Sequence, residues 1–501
     1  MEKSTDIECP KFLLLPMQPT PNGRLHLGHL SGPYLNCDVL GRLLKRSGAE
    51  VTTICGADVY ENWVIPPADA AKLEVGDFCT KSSDQIESDL AAFNISIDTW
   101  INPLSVEHTT GYNDANNELL RRGQKSGSLI LKEEKVPYNI SSGKLVSGVW
   151  LIGRCPGCGE SASGNCCESC GYHYQPDEIL DPKERHSDSE LEWKFFKSWF
   201  TKPDGCHDIS LQIRDLCQQR SFCDLGINYA KQKGQEIRLT SPEAWGIPNT
   251  VDGFGTTVSN TFYGYCYYCA EVYAQTFNCE NPLSQASSNV RVIAFAGIDN
   301  LVAAIVAPLA ISGAVGTRPF DTVNLNKFLT LDGQKFSTSR KHGVWLSELI
   351  ELELVHPDEV RLYIASISNP EFEVDFNLKK FVEFINVHRR TLKQRINTIA
   401  ATEYKSNHTS CYRCKFDCDF SIAKFSLESV FANYWKFVTS DPTEHCRGSW
   451  ASTFLHQSEA LMPILGPEIY QLVQAGGSPD QSVVGHKLLL NDLRTVIHHG
   501  C

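Results

Sequence analysis

The apolar run "FLLLP" (Phe12 to Pro16) leads into "PTPNGRLHLGHL", and this junction constrains the fold more than any other stretch of the chain. "KFLLLP" and "AEVTTICGAD" are short, apolar and bounded by turn residues, as buried strands are. Between them, "HLSGPYLNCDVLGRLLKRSG" carries helical periodicity and closes at Gly48. Strand, helix, strand in that order implies a parallel unit. Ligands of such sheets bind beyond the carboxyl ends of the strands, at a helix N-terminus. His26 and His29 fall there, with Gly28 between them. A turn needs Pro, Asn and Gly but has no use for two imidazoles. They read either as donors to phosphate that hold charge developing at an α-phosphorus, with Gly28 leaving room for a flat base, or as a surface pair on a helix.

At 501 residues the chain is long for one domain, and its character changes along its length. Residues 1–114 alternate strands and helices. Residues 115–240 are charged, rich in turns and dense in cysteine. Over 241–356 the apolar runs return in "VRVIAFAGIDN" and "LVAAIVAPLAISGAVG", and 357–501 are helical and charged. The expectation is a parallel α/β domain, interrupted by an insertion and followed by helices. No apolar run reaches the roughly 18–20 residues of a transmembrane helix. The start, "MEKSTDIECPKF", is too polar for a signal peptide, so a cytoplasmic location is expected. Twenty cysteines are then reduced or metal-bound. With a net charge of -13, any nucleic acid must meet a local basic patch. "HRRTLKQR" supplies one in Arg389, Arg390, Lys393 and Arg395, or is simply a solvated helix face.

Two further motifs carry chemistry. In "LDGQKFSTSRKHGVW", Lys335 opens a small polar loop that could close over a pyrophosphate leaving group. Taken alone, it could equally be a solvated loop. "RCPGCGESASGNCCESCG" places Cys155 and Cys158, then Cys167 and Cys170, in two Cys-x-x-Cys-Gly turns that aim four thiolates at one structural Zn²⁺. Cys166 offers an alternative register. Cys266/Cys269 and Cys411/Cys414/Cys418, the latter near His408, read as plain thiols, with metal binding by the second group left open.

HxGH after the first strand and KxSxS after the last α/β segment, in that order, resemble the two adenylate-forming motifs of class I aminoacyl-tRNA synthetases. "ICGADVY", "AWGIP", "FAGIDN" and "DFNLKKFVEFIN" extend the resemblance to the methionyl branch over residues 12–400. It implies a Rossmann-like parallel-sheet catalytic domain with a zinc-knuckle insertion, a C-terminal α-helical domain that reads a tRNA anticodon, and use of ATP with Mg²⁺. By position, it makes His26, His29 and Lys335 catalytic. Gly28, Gly297, Asp299 and Ser337 fall to ATP, and Asp58 to the amino group of the amino acid.

The specificity positions depart from the pattern. Gln18 and Thr20 stand where the family has Leu and Tyr, and Tyr265 and Tyr268 where it has Trp and Ala. Ala304 replaces a pocket His, Thr338 the second loop lysine, and Ile298 another lysine. An amide and hydroxyls suit a thioether side chain poorly, so the amino acid need not be methionine. The C-terminal region is short, and Arg395 and Thr443 fall where the family contacts the anticodon. Three functions stay open: transfer of the activated amino acid to a tRNA, transfer to a small-molecule amine or carrier, and an inactive binding paralogue.

Overall fold

The computed structural model describes the chain apart from residues 1–8, 165–166, 168–169, 171, 173, 203–208, 218–219, 234–235, 285–286, 339–340, 370, 402–421, 423–424, 443–446, 478, 480–484 and 499–501. Its centre is a five-stranded parallel sheet. The strands are β1 (Lys11–Pro16), β2 (Glu50–Gly56), β3 (Thr99–Ile101), β4 (Val290–Gly297) and β5 (Thr322–Asn326), in the spatial order β5-β4-β1-β2-β3. In β1, Leu13, Leu14 and Leu15 are fully buried, which is why this strand reads as a continuous apolar run. Strand order reverses between β1 and β4, and ligands of such sheets bind beyond the carboxyl ends of the strands at that point.

The segment after β1 is not one helix. His26 starts a single turn, the backbone breaks at Gly32 (φ −84°, ψ −127°), and the long helix α1 runs Leu35–Arg46. Pro33 forces the break, since the residue before a proline is pushed out of the helical region. The result is a separate one-turn platform for the two histidines. Helices Thr109–Ser126, Phe262–Phe277 and Ala307–Val315 cover one face of the sheet.

Between β3 and β4 the chain leaves the sheet. A long antiparallel ribbon pairs Leu129–Asn139 with Leu191–Thr201 over eleven residues. A small sheet of Leu151–Arg154, Ser161–Ser163 and Leu180–Glu184 carries the cysteine turns. After β5 come Pro357–Ile367 and the helices Leu378–Ala401, Leu427–Thr439, Arg447–Ser458 and Leu465–Gln474. Among the described residues, no helix is long and apolar enough to cross a membrane.

One buried ion pair fastens the helices to the sheet. Arg361 and Asp38, both fully buried, meet at 2.6 Å. Arg361 also donates to the carbonyls of Phe93, Ala460 and Leu461 at 2.9–3.0 Å. Asp38 accepts from the Ser96 N–H at 2.8 Å and from Arg42 at 2.9 Å. Because the guanidinium donors and both carboxylate oxygens are engaged, removing one partner strands the other. Arg361→Met is expected to lower unfolding stability by about 3–5 kcal/mol, read from urea denaturation.

Candidate functional site

The one-turn platform places His26 and His29 beyond the carboxyl end of β1. Their rings stack at 3.8 Å between centroids and 18° between planes. The His26 backbone N–H donates to His29 Nδ1 at 3.2 Å, which leaves the His29 proton on Nε2. His26 Nδ1 is buried with no partner. Burial pushes the His26 imidazole well below its usual range, and the neighbouring His29 adds to this. Burial likewise lowers His29 to about 4; Asp299 opposes the shift and Lys335 reinforces it. At neutral pH both rings are therefore uncharged hydrogen-bonding groups.

Backbone pairing brings the Lys335 segment to this platform. The Leu27 N–H donates to the Val344 carbonyl at 2.9 Å, and the Leu346 N–H to the Leu25 carbonyl at 3.0 Å. Ser337 and His342 exchange two backbone hydrogen bonds of 2.9 and 3.0 Å, closing the loop between them. Phe336 is buried against the platform, and a Cβ on Gly28 would lie 3.0 Å from the Phe336 Cβ and 3.1 Å from the His26 ring. Gly28 thus admits the loop. Thr338 reaches the turn before the platform, 2.7 Å from where a Gly23 Cβ would sit. Lys335 Nζ pairs with Asp299, just beyond β4, at 3.1 Å and lies 4.2 Å from the Phe328 ring centroid. A Cβ on Gly297 would come within 2.6 Å of the Asp299 carboxylate. His26, His29, Gly28, Gly297, Asp299, Lys335 and Ser337 therefore gather in one place.

Asp58 lies beyond β2, its N–H bonded to the Pro19 carbonyl at 2.9 Å. Its carboxylate accepts from Asn260, whose own amide oxygen accepts from Tyr112. Burial raises Asp58 well above the usual carboxylate range, and the charge of Glu61 raises it further. Glu61 itself is pushed up to about 7 by burial and by Glu243. Gln18 is buried with its Oε1 unpartnered, and the Tyr265 hydroxyl is buried beside the Cys55 and Cys269 thiols. Tyr268 differs, because its hydroxyl meets His108 Nδ1 at 3.0 Å. Thr20 is half-buried in the turn, and Ala304 lies in the core. The sequence reading missed Asn260, Tyr112, Glu61, Phe336 and Trp345. Asn260 and Tyr112 lie far from Asp58 in the chain, so no local spacing announces them.

The four knuckle thiols converge. Cys155, Cys158, Cys167 and Cys170 lie within 4.8 Å of one another, with Cys155–Cys170 and Cys158–Cys167 at 3.7 Å. Tetrahedral thiolates about 2.3 Å from zinc stand about 3.8 Å apart, so the set fits the ion. Cys167 takes the fourth corner; Cys166 lies outside the described residues, as do Cys411, Cys414, Cys418, His408 and Thr443. Cys266 and Cys269 are buried free thiols.

The basic helix corrects an expectation. Arg389 is not offered to a ligand: it is buried and paired with Glu359 at 2.6 Å, and it donates to the Leu354 carbonyl. Arg395 donates to the Val438 and Thr439 carbonyls, capping the end of Leu427–Thr439. Arg390 and Lys393 alone of the four are exposed.

Residues 17–397 match the family model described as tRNA synthetases class I (M). The chain is 26% identical over 385 residues to a methionine–tRNA ligase of Christiangramia forsetii, covering 74% of this chain and 54% of that protein. It is 27% identical over 375 residues to the one of Pyrobaculum aerophilum, covering 72% and 64%. The chain thus spans little more than half to under two thirds of the length of these relatives. A Mycobacterium tuberculosis methionyl-tRNA synthetase structure in complex with methionyl-adenylate shares the fold, with a TM-score of 0.63 and 15% identity over 96% of this chain and 97% of that one.

The buried His29 sets a pH dependence. Its imidazole is about 4 when folded and near 6.5 when unfolded, so below pH 6.5 the unfolded chain binds a proton that the folded chain refuses. Stability is expected to be full above pH 6.5 and to fall by roughly 3 kcal/mol toward pH 4 from this ring alone. His29→Gln should flatten the stability-against-pH curve by about one proton in that window.

Proposed function

The chain belongs to the class I (M) tRNA synthetases, and from that premise we propose that it activates an amino acid with ATP and transfers it to the 3′ end of a tRNA. What carries this reading is the gathering of His26, His29, Asp299 and Lys335 beyond the carboxyl ends of β1 and β4, with Asp58 beyond the adjacent strand. In the first step a carboxylate oxygen of the amino acid attacks the α-phosphorus. The bond to the β-phosphate breaks, pyrophosphate leaves, and a mixed anhydride remains.

The uncharged histidines donate to α-phosphate oxygens as the charge redistributes. Lys335 leaves Asp299 for the β- and γ-phosphates, which Mg²⁺ would accompany, and Asp299 is freed to accept from a ribose hydroxyl. Gly297 and Ser337 line the nucleotide, whereas the clearance at Gly28 is taken by Phe336 and serves to admit the loop, not the base. The α-ammonium of the amino acid supplies the counter-charge that Asp58 lacks, returning its carboxyl to the ionised form. Cys155, Cys158, Cys167 and Cys170 would hold a zinc ion that organises the insertion, and four protein thiolates would leave it no chemical role.

The unpartnered Gln18 Oε1 supports an amino acid other than methionine, because a thioether offers that atom no donor. Thr20, Tyr265 and Tyr268 complete the side of the pocket in this reading. A second reading, transfer to a small-molecule amine or carrier, is favoured by the inward turn of Arg389 and Arg395, which leaves Arg390 and Lys393 to meet an RNA backbone. Either acceptor suits work in the cytoplasm.

Replacing both His26 and His29 with Ala is expected to lower ATP–pyrophosphate exchange at least about a thousandfold, while circular dichroism and zinc content stay as in the parent chain. Retained exchange would refute the site. Metal analysis of the purified chain should return about one zinc per chain. Cys167→Ser should bring this below half without unfolding the parallel sheet.

A further inference from the structure

The segment after Leu488 runs from the helical region back to the Lys335 loop. At its near end, Asn386 and Leu488 exchange two hydrogen bonds of 2.8 and 2.9 Å, seating it on the Leu378–Ala401 helix. Leu488, Leu493 and Val496 are buried in the core shared with that helix. At its far end, His498 and Gly343 exchange two backbone hydrogen bonds of 2.8 and 2.9 Å. The His498 ring meets Trp345 edge-on at 5.2 Å, and its Nε2 lies 2.8 Å from Glu348. Trp345 in turn stands edge-on to His26 at 6.3 Å. Gly343 is wedged between these parts: a Cβ there would lie 3.0 Å from Phe336 and 3.6 Å from the His26 Cβ.

From this geometry we infer that residues 488–498 act as a strap that holds the Lys335 loop against the histidine platform, with His498 as its positioning residue. Among the described residues, the loop is otherwise held by the Thr330–Lys335 and Leu331–Gln334 pairs of its hairpin, by the Ser337–His342 pair and the Lys341 N–H to the Thr338 carbonyl within it, and by the Leu25–Leu27 pairing with Val344–Leu346 just beyond it. The Gly343–His498 pair lies between the last two of these anchors. It fixes the returning side of the loop, opposite the hairpin pair that holds the Lys335 backbone, and so sets how closely the loop lies on the platform. Small errors in the placement of a charged clamp cost rate rather than ground-state affinity for the other substrate. The strap therefore acts on the turnover of adenylation, in the reading given under Proposed function, on which this inference rests.

Three variants separate the backbone pair from the side chain. A stop after Ile497 removes both. His498→Pro keeps the chain but removes the N–H that donates to Gly343. His498→Ala keeps the backbone pair and loses only the contacts to Trp345 and Glu348. The stop and the Pro variant are expected to lower kcat for ATP–pyrophosphate exchange about tenfold or more with the KM for the amino acid within about twofold, and the Ala variant to lose less than about threefold. Amide hydrogen exchange, which needs no activity, should speed up about tenfold across residues 334–345 in the first two variants and stay unchanged in the central sheet. Unchanged amide exchange over 334–345 in the shortened chain overturns the strap, whether or not the full chain is active. Unchanged kcat alongside loosened amides overturns its role in turnover. A full chain inactive with every amino acid, whose loop nonetheless loosens on shortening, refutes the adenylate reading and leaves the strap standing.

Discussion

Two backbone hydrogen bonds, between Leu27 and Val344 and between Leu25 and Leu346, are the constraint on which the site depends. They join a turn that follows the first strand to a loop that follows the last one. Neither piece makes the site alone: the histidines would face open solvent, and Lys335 would sit on a solvated hairpin. Once paired, the loop buries Phe336 on Gly28, the histidines lose their water, and burial strips them of charge. The electrostatics of the site therefore follow from a packing event, since desolvation is the largest cause of both histidine shifts.

The parallel sheet makes that pairing possible by placing β1 beside β4. Their register, Leu13 opposite Val292 through Pro16 opposite Phe295, delivers the platform and Asp299 to the same end of neighbouring strands. The helical region is locked on through Arg361 and Asp38, and the strap runs from it to the loop. A disturbance in the helices thus has a short covalent and hydrogen-bonded path to Lys335. The zinc knuckle stands apart from this path, with its own small core of Val146, Leu151, Ala162, Tyr174 and Ile179 around the thiols.

Much of this was legible in the chain. Apolar runs marked β1, β2 and β4, and paired Cys-x-x-Cys-Gly turns marked the four thiols that converge, because both signals are local. The break at Gly32 was also legible in Pro33, but the amphipathic pattern on either side reads straight through it. Arg389 shows a different failure. It lies on the stripe Ile385, Arg389, Leu392, Ile396, which faces the core, so helical spacing already turns it inward. A count of basic residues overlooks that phase. Asn260 and Tyr112, which orient Asp58, were out of reach, since only the tertiary fold brings them to β2.

The measurement that tests the central claim most directly is ATP–pyrophosphate exchange by the intact, zinc-loaded chain against each of the twenty amino acids, with and without total tRNA. The account predicts exchange that depends on one amino acid or a small set with hydrogen-bonding side chains. Acylated tRNA in the same reactions would identify the acceptor. Absence of exchange with every amino acid, in both conditions, would contradict the assignment of His26, His29, Lys335 and Asp58 to adenylate formation.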